Sequence, residues 1–467
     1  MQRKLYLFGT GKIAQEFTFF FDYMSIEIEG YIDNDRCKWG GYFYNKKIYS
    51  PDTLCQIEDF CIFIACAAKK ELILQLSQMN LEKHIISMKQ IINVYGNSVI
   101  ARERFDELRD GSRKDKSIII DNLGGTWGGA EDWSHIVALS LAERKYEVNV
   151  IEQTQQPLVE DLRGNTLCID TDKMDEYHIY MSLIKALMKK KPFILFNVKN
   201  SELLWAAVTI KQVYPDDVCV ISSILNDAIY EEFYEWDNSI DLYLCISSRI
   251  QENLINICRV NQRKVFCRTP FIEKIRKVNK AYHVKGNEPL KVVYPCRLVV
   301  YQKRADLIPS LIEYLEEKKV HYLLNIVGDG PCEDKIKEYV ELNHLHSKVK
   351  MLGRLSREEL CDFLNQQDVY LNFSEFEGTS LTMLEAMASG CVPVVTNVSG
   401  VSDFIENRIN GLVADVGDLE KISGHIAFLD KNRHKLVEYG NKSMSIVQEK
   451  CRLSDYIDDI ENIIKLV

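Results

Sequence analysis

The sequence predicts an α/β chain of parallel sheets with helices on both faces, divided into three Rossmann-like segments. Three observations carry this. Short apolar runs of strand length alternate with helix-length amphipathic stretches from end to end, the rhythm of βαβ units. Several of these runs break directly into glycine-rich turns, as parallel strands entering helices do. A length of 467 residues exceeds what one core supports and fits about three domains.

Residues 1–100 form the first segment. Leu5–Phe8 reads as a strand, followed by Gly9-x-Gly11-x-x-Ala14 and a helix through Tyr23. A second strand, Ile28–Ile32, ends on Asp33, and a third is Phe60–Ala65. Gly9 permits the tight turn and Gly11 lets a pyrophosphate approach the backbone. Ala14 keeps helix and strand close, and the helix start offers unpaired N–H groups. Asp33 falls where an acid bonds a ribose hydroxyl. The residues leave open whether the ligand is NAD or another nucleotide, or whether the module has lost its ligand and only packs.

Residues 101–116, in which acids and bases alternate, read as an exposed linker. The second segment, 117–285, opens with strand Ile118–Asp121 and the loop Gly124-Gly125-Thr126-Trp127-Gly128-Gly129-Ala130-Glu131. Further strands are Glu147–Ile151, Phe193–Asn197, Val218–Ser222 and Leu242–Ile246. Trp127 breaks any dinucleotide fingerprint, so the loop reads as a phosphate approach through backbone N–H groups or as a sharp turn. Residues 286–450 make the third segment, and 451–467 a closing helix.

Composition narrows the function. A net charge of −10 argues against a nucleic-acid binder, which needs excess positive charge on phosphates. Fourteen scattered cysteines without a Cys-x-x-Cys pair read as reduced thiols. No apolar run suits a signal peptide or a membrane span, so the expected location is cytoplasmic. The stretch Cys258–Lys285 carries nine bases against one acid. It suits either contact with anionic headgroups at the inner membrane surface or a charged interdomain linker.

The third segment gathers the chemistry. Arg297 and Lys303 follow strand Lys291–Tyr294, where open α/β sheets bind ligands. A guanidinium fork and an ammonium there suit phosphate oxygens. Strand Tyr322–Val327 ends in Gly328-Asp329-Gly330-Pro331, leaving room for a base or ribose against the backbone. Strand Val369–Phe373 runs into Glu377-Gly378-Thr379-Ser380-Leu381, with a helix beginning near Gly378. Small residues there expose N–H groups to an anion. Glu377 stands before the helix and Glu385 about two turns inside it. Singly, each of these acids and bases also reads as a solvated surface group; their convergence points to a site.

Residues 290–441 resemble the retaining GT-B glycosyltransferases of family 4. The resemblance rests on Arg297…Lys303, Val327-Gly328-Asp329-Gly330-Pro331, Glu377-x7-Glu385, Ala388-Ser389-Gly390-Cys391-Val392-Pro393-Val394-Val395, Gly400 and Asn410-Gly411-Leu412-Val413. Gly128-Gly129-Ala130-Glu131 extends it to residues 117–467. It implies two Rossmann-like domains facing a cleft, preceded here by a third. It further implies transfer of a sugar from a nucleotide-sugar to a glycan or lipid-linked acceptor in surface polysaccharide biosynthesis. Arg297 and Lys303 would neutralise the leaving diphosphate, Glu377 would position the sugar, and Glu385 would bind the ribose. Gly378 through Leu381 and Gly129 would contact sugar and phosphate. Fixed charges doing this work call for no metal and no cofactor.

The segment departs from the family's pattern in two places. Ser222–Asp227 lacks the histidine many members carry after a middle strand, and Asp403 stands where glutamate is common. The N-terminal segment resembles small nucleotide-binding domains that precede sugar-modifying enzymes. Asp33-Asn34-Asp35, Asp170-Thr171-Asp172 and the helical pair His344 and His346 are weak metal candidates. A related nucleotide-sugar isomerase, or a non-catalytic nucleotide-sugar binder, is the alternative reading.

Overall fold

A computed structural model describes residues 3–66, 68–86, 90–91, 105–106, 116–122, 129–152, 166–169, 174, 176–198, 201–227, 237, 239–273, 280–284 and 287–467. The chain falls into two compact units, residues 1–222 with 231–242, and residues 223–230 with 243–467.

The first unit opens with a five-stranded sheet. Its elements are β1 (Lys4–Phe8), α1 (Lys12–Tyr23), β2 (Gly30–Ile32), β3 (Tyr42–Phe43), β4 (Lys46–Tyr49), β5 (Phe60–Ile64) and α2 (Lys69–Gln78). The order is β3-β4-β2-β1-β5, parallel except for the β3–β4 hairpin. That hairpin is absent from the sequence reading. Its turn, Tyr44-Asn45, has positive φ at both residues without a glycine to announce it.

Five strands of the second sheet follow in the same unit: β6 (Ser117–Asn122), β7 (Val148–Glu152), β8 (Thr166–Cys168), β9 (Phe193–Asn197) and β10 (Val218–Ile224), in the order β10-β9-β6-β7-β8. Helices α3 (Gly129–Glu143), α4 (Glu176–Lys190) and α5 (Ser201–Val213) connect them. Phe17 and Phe20 of α1 meet Trp205 of α5 and Tyr180 of α4 at ring centroids of 5.8 and 5.6 Å. The N-terminal module is therefore packed on the second segment. The linker is not wholly exposed as expected: Phe105 is buried, and Tyr214 Oη donates to Asp106 Oδ1 at 2.7 Å.

The second unit starts with β11 (Leu242–Cys245), α6 (Ser248–Asn256) and β12 (Val265–Cys267), the two strands pairing in parallel. Its six-stranded sheet comprises β13 (Leu290–Pro295), β14 (Tyr322–Val327), β15 (Val349–Met351), β16 (Val369–Asn372), β17 (Val392–Thr396) and β18 (Leu412–Ala414). The order is β15-β14-β13-β16-β17-β18, parallel throughout. Alternate residues face opposite cores. Val292, Tyr294, Leu324 and Leu371 point to one face, Val293, Val327 and Tyr370 to the other. Both faces being covered, the strands read as continuous apolar runs.

Helices α7 (Ile308–Glu317), α8 (Glu333–Leu342), α9 (Arg357–Leu364), α10 (Leu381–Ala388), α11 (Leu419–Lys431), α12 (His434–Lys450) and α13 (Leu453–Lys465) complete the unit. The closing helix α13 is anchored by Arg268–Asp459 at 2.6 Å and by Tyr456 against Phe271. His344 and His346 lie past the end of α8, not on a helix as expected, with His344 in the left-handed region. All fourteen cysteines are free. Among the described residues no helix is long and apolar enough to cross a membrane.

Candidate functional site

In the second unit the strand order reverses between β13 and β16. Neighbouring loops leave the sheet in opposite directions at such a switch point, opening a crevice at the strands' carboxyl ends. The loops that follow these two strands are 296–304 and 373–380, the two that carry Arg297, Lys303 and Glu377.

Glu377 is 7% exposed. A buried carboxylate is costly unless it is paired and hydrogen-bonded. Here Lys303 Nζ forms an ion pair with Oε1, which also accepts from Ser374 Oγ at 2.8 Å and from Asn372 Nδ2 at 3.5 Å. Gln302 Nε2 reaches Oε2 at 3.3 Å and the Phe376 carbonyl at 3.3 Å. The Glu375 N–H donates to the Gln302 carbonyl at 2.8 Å and Tyr294 Oη to the Lys303 carbonyl at 2.5 Å. The two loops are thus stitched through backbone and side chain together. Ser374, Asn372 and Gln302 were absent from the sequence reading; Ser374-x-x-Glu377 was the one local signal available.

Arg297 is exposed, and its guanidinium makes a long 3.5 Å contact to Gln302 Oε1. Burial pushes the thiol of the neighbouring Cys296 up to about 12. The site therefore offers an outward guanidinium, an ammonium held by a buried carboxylate, and amide groups between them.

Several of the glycines sit where a side chain has no room. Gly328 has φ +131°, and a Cβ there would lie 2.0 Å from the Cys296 carbonyl oxygen. At Gly330 it would lie 2.7 Å from that of Leu298. That space is taken by the 296–298 loop, so chain packing requires glycine at both positions. Gly378 is as crowded: a Cβ would meet the Leu225 carbonyl at 1.9 Å. At Gly400, φ +75°, a Cβ would lie 2.1 Å from Thr379 Oγ1.

The helix after Glu377 starts at Leu381, three residues later than expected. Ser380 is its N-cap, Oγ accepting from the Met383 N–H at 3.3 Å, because a hydroxyl at that place satisfies an orphan donor. Thr379 Oγ1 donates to the Ile246 carbonyl at 2.9 Å. Glu385 consequently lies just beyond the first turn of α10 and is 8% exposed. Arg357 Nε donates to its Oε1 at 3.0 Å, while Arg357 Nη1 lies 3.6 Å from Glu273. Nothing in the sequence pattern announced Arg357. Asp403 turns out to be an anchor: it accepts from the Ser248 N–H at 3.0 Å and from Ser248 Oγ, at the start of α6.

In the N-terminal module, Gly9 has φ +127° and its N–H donates to the Ile32 carbonyl at 2.7 Å. Gly11 is the N-cap of α1, without a side-chain cap, and a Cβ there would meet nothing within 4 Å. Ala14 is fully buried. Asp33 is engaged by its own surroundings: Oδ2 accepts from Thr10 Oγ1 and from Lys38 Nζ at 3.1 Å, Oδ1 from the Asp35 N–H at 2.8 Å. Burial pushes its pKa up, but these bonds outweigh burial and hold it below the usual value.

Gly129 opens α3 and is exposed, while residues 123–128 of its loop lie outside the described residues. So do Asp170-Thr171-Asp172, Arg276 and Lys277. Lys280 of the basic stretch is not a solvated base: its ammonium donates to the carbonyls of Leu364, at 3.1 Å, and Gln367. Among the described residues no group of three or more His, Cys, Asp or Glu could hold a metal.

Two family models match parts of the chain. Residues 275–443 match the model of Glycosyl transferases group 1, and residues 1–87 that of C2185-like, N-terminal. The chain is 29% identical over 161 residues to the poly(ribitol-phosphate) alpha-N-acetylglucosaminyltransferase of Staphylococcus aureus, over 34% of this chain and 32% of that protein. It is 25% identical over 201 residues to the amylovoran biosynthesis glycosyltransferase AmsK of Erwinia amylovora, over 40% of this chain and 49% of that one. The matches thus span half or less of these relatives. The structure of Anabaena HepE in complex with UDP and glucose superposes with a TM-score of 0.62 at 14% identity, covering 76% of this chain and 100% of that one. That likeness shows the fold, which is of the GT-B class.

Proposed function

We propose that this chain, whose residues 275–443 carry the glycosyl transferases group 1 domain, is a family 4 enzyme that moves a sugar from a nucleotide-sugar to a glycan or lipid-linked acceptor with retained anomeric configuration. The observation that carries the reading is the cluster at the switch point: Arg297, Lys303 and the buried, fourfold-bonded Glu377. The relatives' names, an N-acetylglucosaminyltransferase and an amylovoran biosynthesis enzyme, support a place in surface polysaccharide synthesis.

In this reading the bond from the anomeric carbon to the diphosphate oxygen breaks while the acceptor oxygen adds from the same face, its proton passing to the departing diphosphate. Negative charge grows on the departing diphosphate. The Arg297 fork takes two of its oxygens and Lys303, already held in place by Glu377, adds a compact charge with little reorganisation. Glu377 holds the sugar's hydroxyls and keeps Lys303 aimed. Glu385, oriented by Arg357, accepts from the ribose hydroxyls. Gly378 through Leu381 and Gly129 present backbone groups to sugar and phosphate. Gly9, Gly11 and the Lys38 ammonium of the N-terminal module suit a second anionic ligand, a nucleotide or nucleotide-sugar.

Donor-dependent glycosylation of a lipid-linked or glycan acceptor, lost in Glu377→Ala and in Arg297→Ala, is the expected result. Full activity in either variant would refute the assignment. An isomerase would instead convert the nucleotide-sugar without needing an acceptor.

A further inference from the structure

The N-terminal module has a cavity of about 500 Å³ far from its glycine loop. Gly9 and Asp33 follow the carboxyl ends of β1 and β2, whereas this cavity is lined by residues 25–28, which precede β2, and by the β3–β4 turn. Thr18, Phe19 and Asp22 of α1 form the third wall. Its size is in the range of small-ligand sites, about 300–1,000 Å³.

Three aromatic residues, Phe19, Tyr31 and Tyr44, line it beside six polar or charged ones and two isoleucines. Phe19 and Tyr44 are 39% and 41% exposed and meet edge to face at 5.2 Å, continuing through Phe43 at 4.8 Å to Tyr31 at 4.9 Å. Tyr44 has φ +42° and Asn45 +61°, conformations that Asn tolerates and Tyr rarely adopts. The turn therefore accepts local strain to set the Tyr44 ring at the rim. Tyr31 Oη is hydrogen-bonded to Thr18 Oγ1 at 2.5 Å. Burial, with smaller contributions from Tyr44 and Asp22, pushes its pKa up to about 12, so it stays a neutral hydroxyl.

Charge selects the occupant. Asp22 and Glu27 bring two carboxylates, and Lys46 pairs with Glu27 at 3.6 Å. Two carboxylates against one ammonium leave the wall net negative, which disfavours phosphate relative to an uncharged ligand. Carboxylate and amide oxygens instead accept from vicinal hydroxyls, and aromatic faces attract the partly positive C–H face of a sugar ring. We propose that this cavity binds an uncharged glycan segment, giving the chain a carbohydrate-holding site separate from its transferase site.

The test is saturation-transfer NMR on the full chain with maltotriose, cellotriose and tri-N-acetylchitotriose, with and without UDP. At least one trisaccharide should bind, its Kd rising at least tenfold in Tyr44→Ala and in Asp22→Asn, with Tm held. Glu377→Ala and added UDP should leave that binding unchanged. Binding by none of the three, binding unaltered in both cavity variants, or loss in Glu377→Ala would overturn the proposal. Should Tyr44→Ala fail to fold, Glu27→Gln at the exposed rim replaces it. Binding and transfer are read separately, so failure of one leaves the other standing.

Discussion

Two strand-end loops in this chain hold similar parts and are built differently. Each has glycines, an acid and a lysine paired with that acid: Gly9, Gly11, Asp33 and Lys38 in one, Gly378, Glu377 and Lys303 in the other. Asp33 is satisfied almost entirely by residues 33–39 and Thr10. Glu377 is satisfied by two loops more than seventy residues apart, through Gln302, Lys303, Asn372 and Ser374. Their glycines differ too. Gly378 is filled by the Leu225 carbonyl, while Gly11 faces open space. A site assembled over long range has its geometry enforced by packing, whereas the other draws on two loops close in sequence and leaves Gly11 facing open space.

The comparison can be pressed hardest at the carboxylates. Glu377→Ala should lower transfer about 10²–10³-fold, read as nucleoside diphosphate release, because it unseats Lys303 as well as the sugar. Asp33→Asn should leave transfer within about twofold; equal losses would erase the distinction between the two loops.

Next come the glycines. Gly378→Ala should destabilise the chain by about 2 kcal/mol or more, through the clash with Leu225, measured by denaturant unfolding. Gly11→Ala should cost less than about 1 kcal/mol, since no atom stands in its way, and should act only on ligand binding.

Arg357→Ala is a smaller effect. It should raise the donor KM about tenfold with kcat nearly held, because Arg357 orients Glu385, which in the proposed function binds the ribose and not the reacting carbon. A fall in kcat alone would move Glu385 to the reaction centre.

The smallest is a pH effect. Asp33 has a folded pKa below its unfolded value, so its contribution to stability is present above the unfolded value near 3.9 and is lost as pH falls through the folded one. Acid unfolding followed by fluorescence should show this slope in the wild type and lose it in Asp33→Asn.

Legibility followed range. The parallel strands and their glycine exits were readable, because each is a contiguous pattern of residue types, and the same local patterns single out Arg297, Lys303, Glu377 and Glu385 as candidates. The Tyr42–Tyr49 hairpin was not, since Tyr44 and Asn45 take positive φ without glycine. The start of α10 was placed early because Gly378 and Thr379 looked like a helix entry; in fact they are held by Leu225 and Ile246. Gln302, Arg357 and the anchoring role of Asp403 depend on partners remote in sequence, and no spacing rule exposes those.

The central claim is that the switch-point crevice is a nucleotide-sugar site built on Arg297. Its most direct test is a thermal-shift series with UDP-, GDP-, ADP- and CMP-sugars and NAD on the wild-type chain and Arg297→Ala. The account expects one nucleotide-sugar to raise Tm increasingly with concentration, and that rise to be lost in Arg297→Ala. No rise with any nucleotide-sugar, or a rise undiminished in Arg297→Ala, would contradict it.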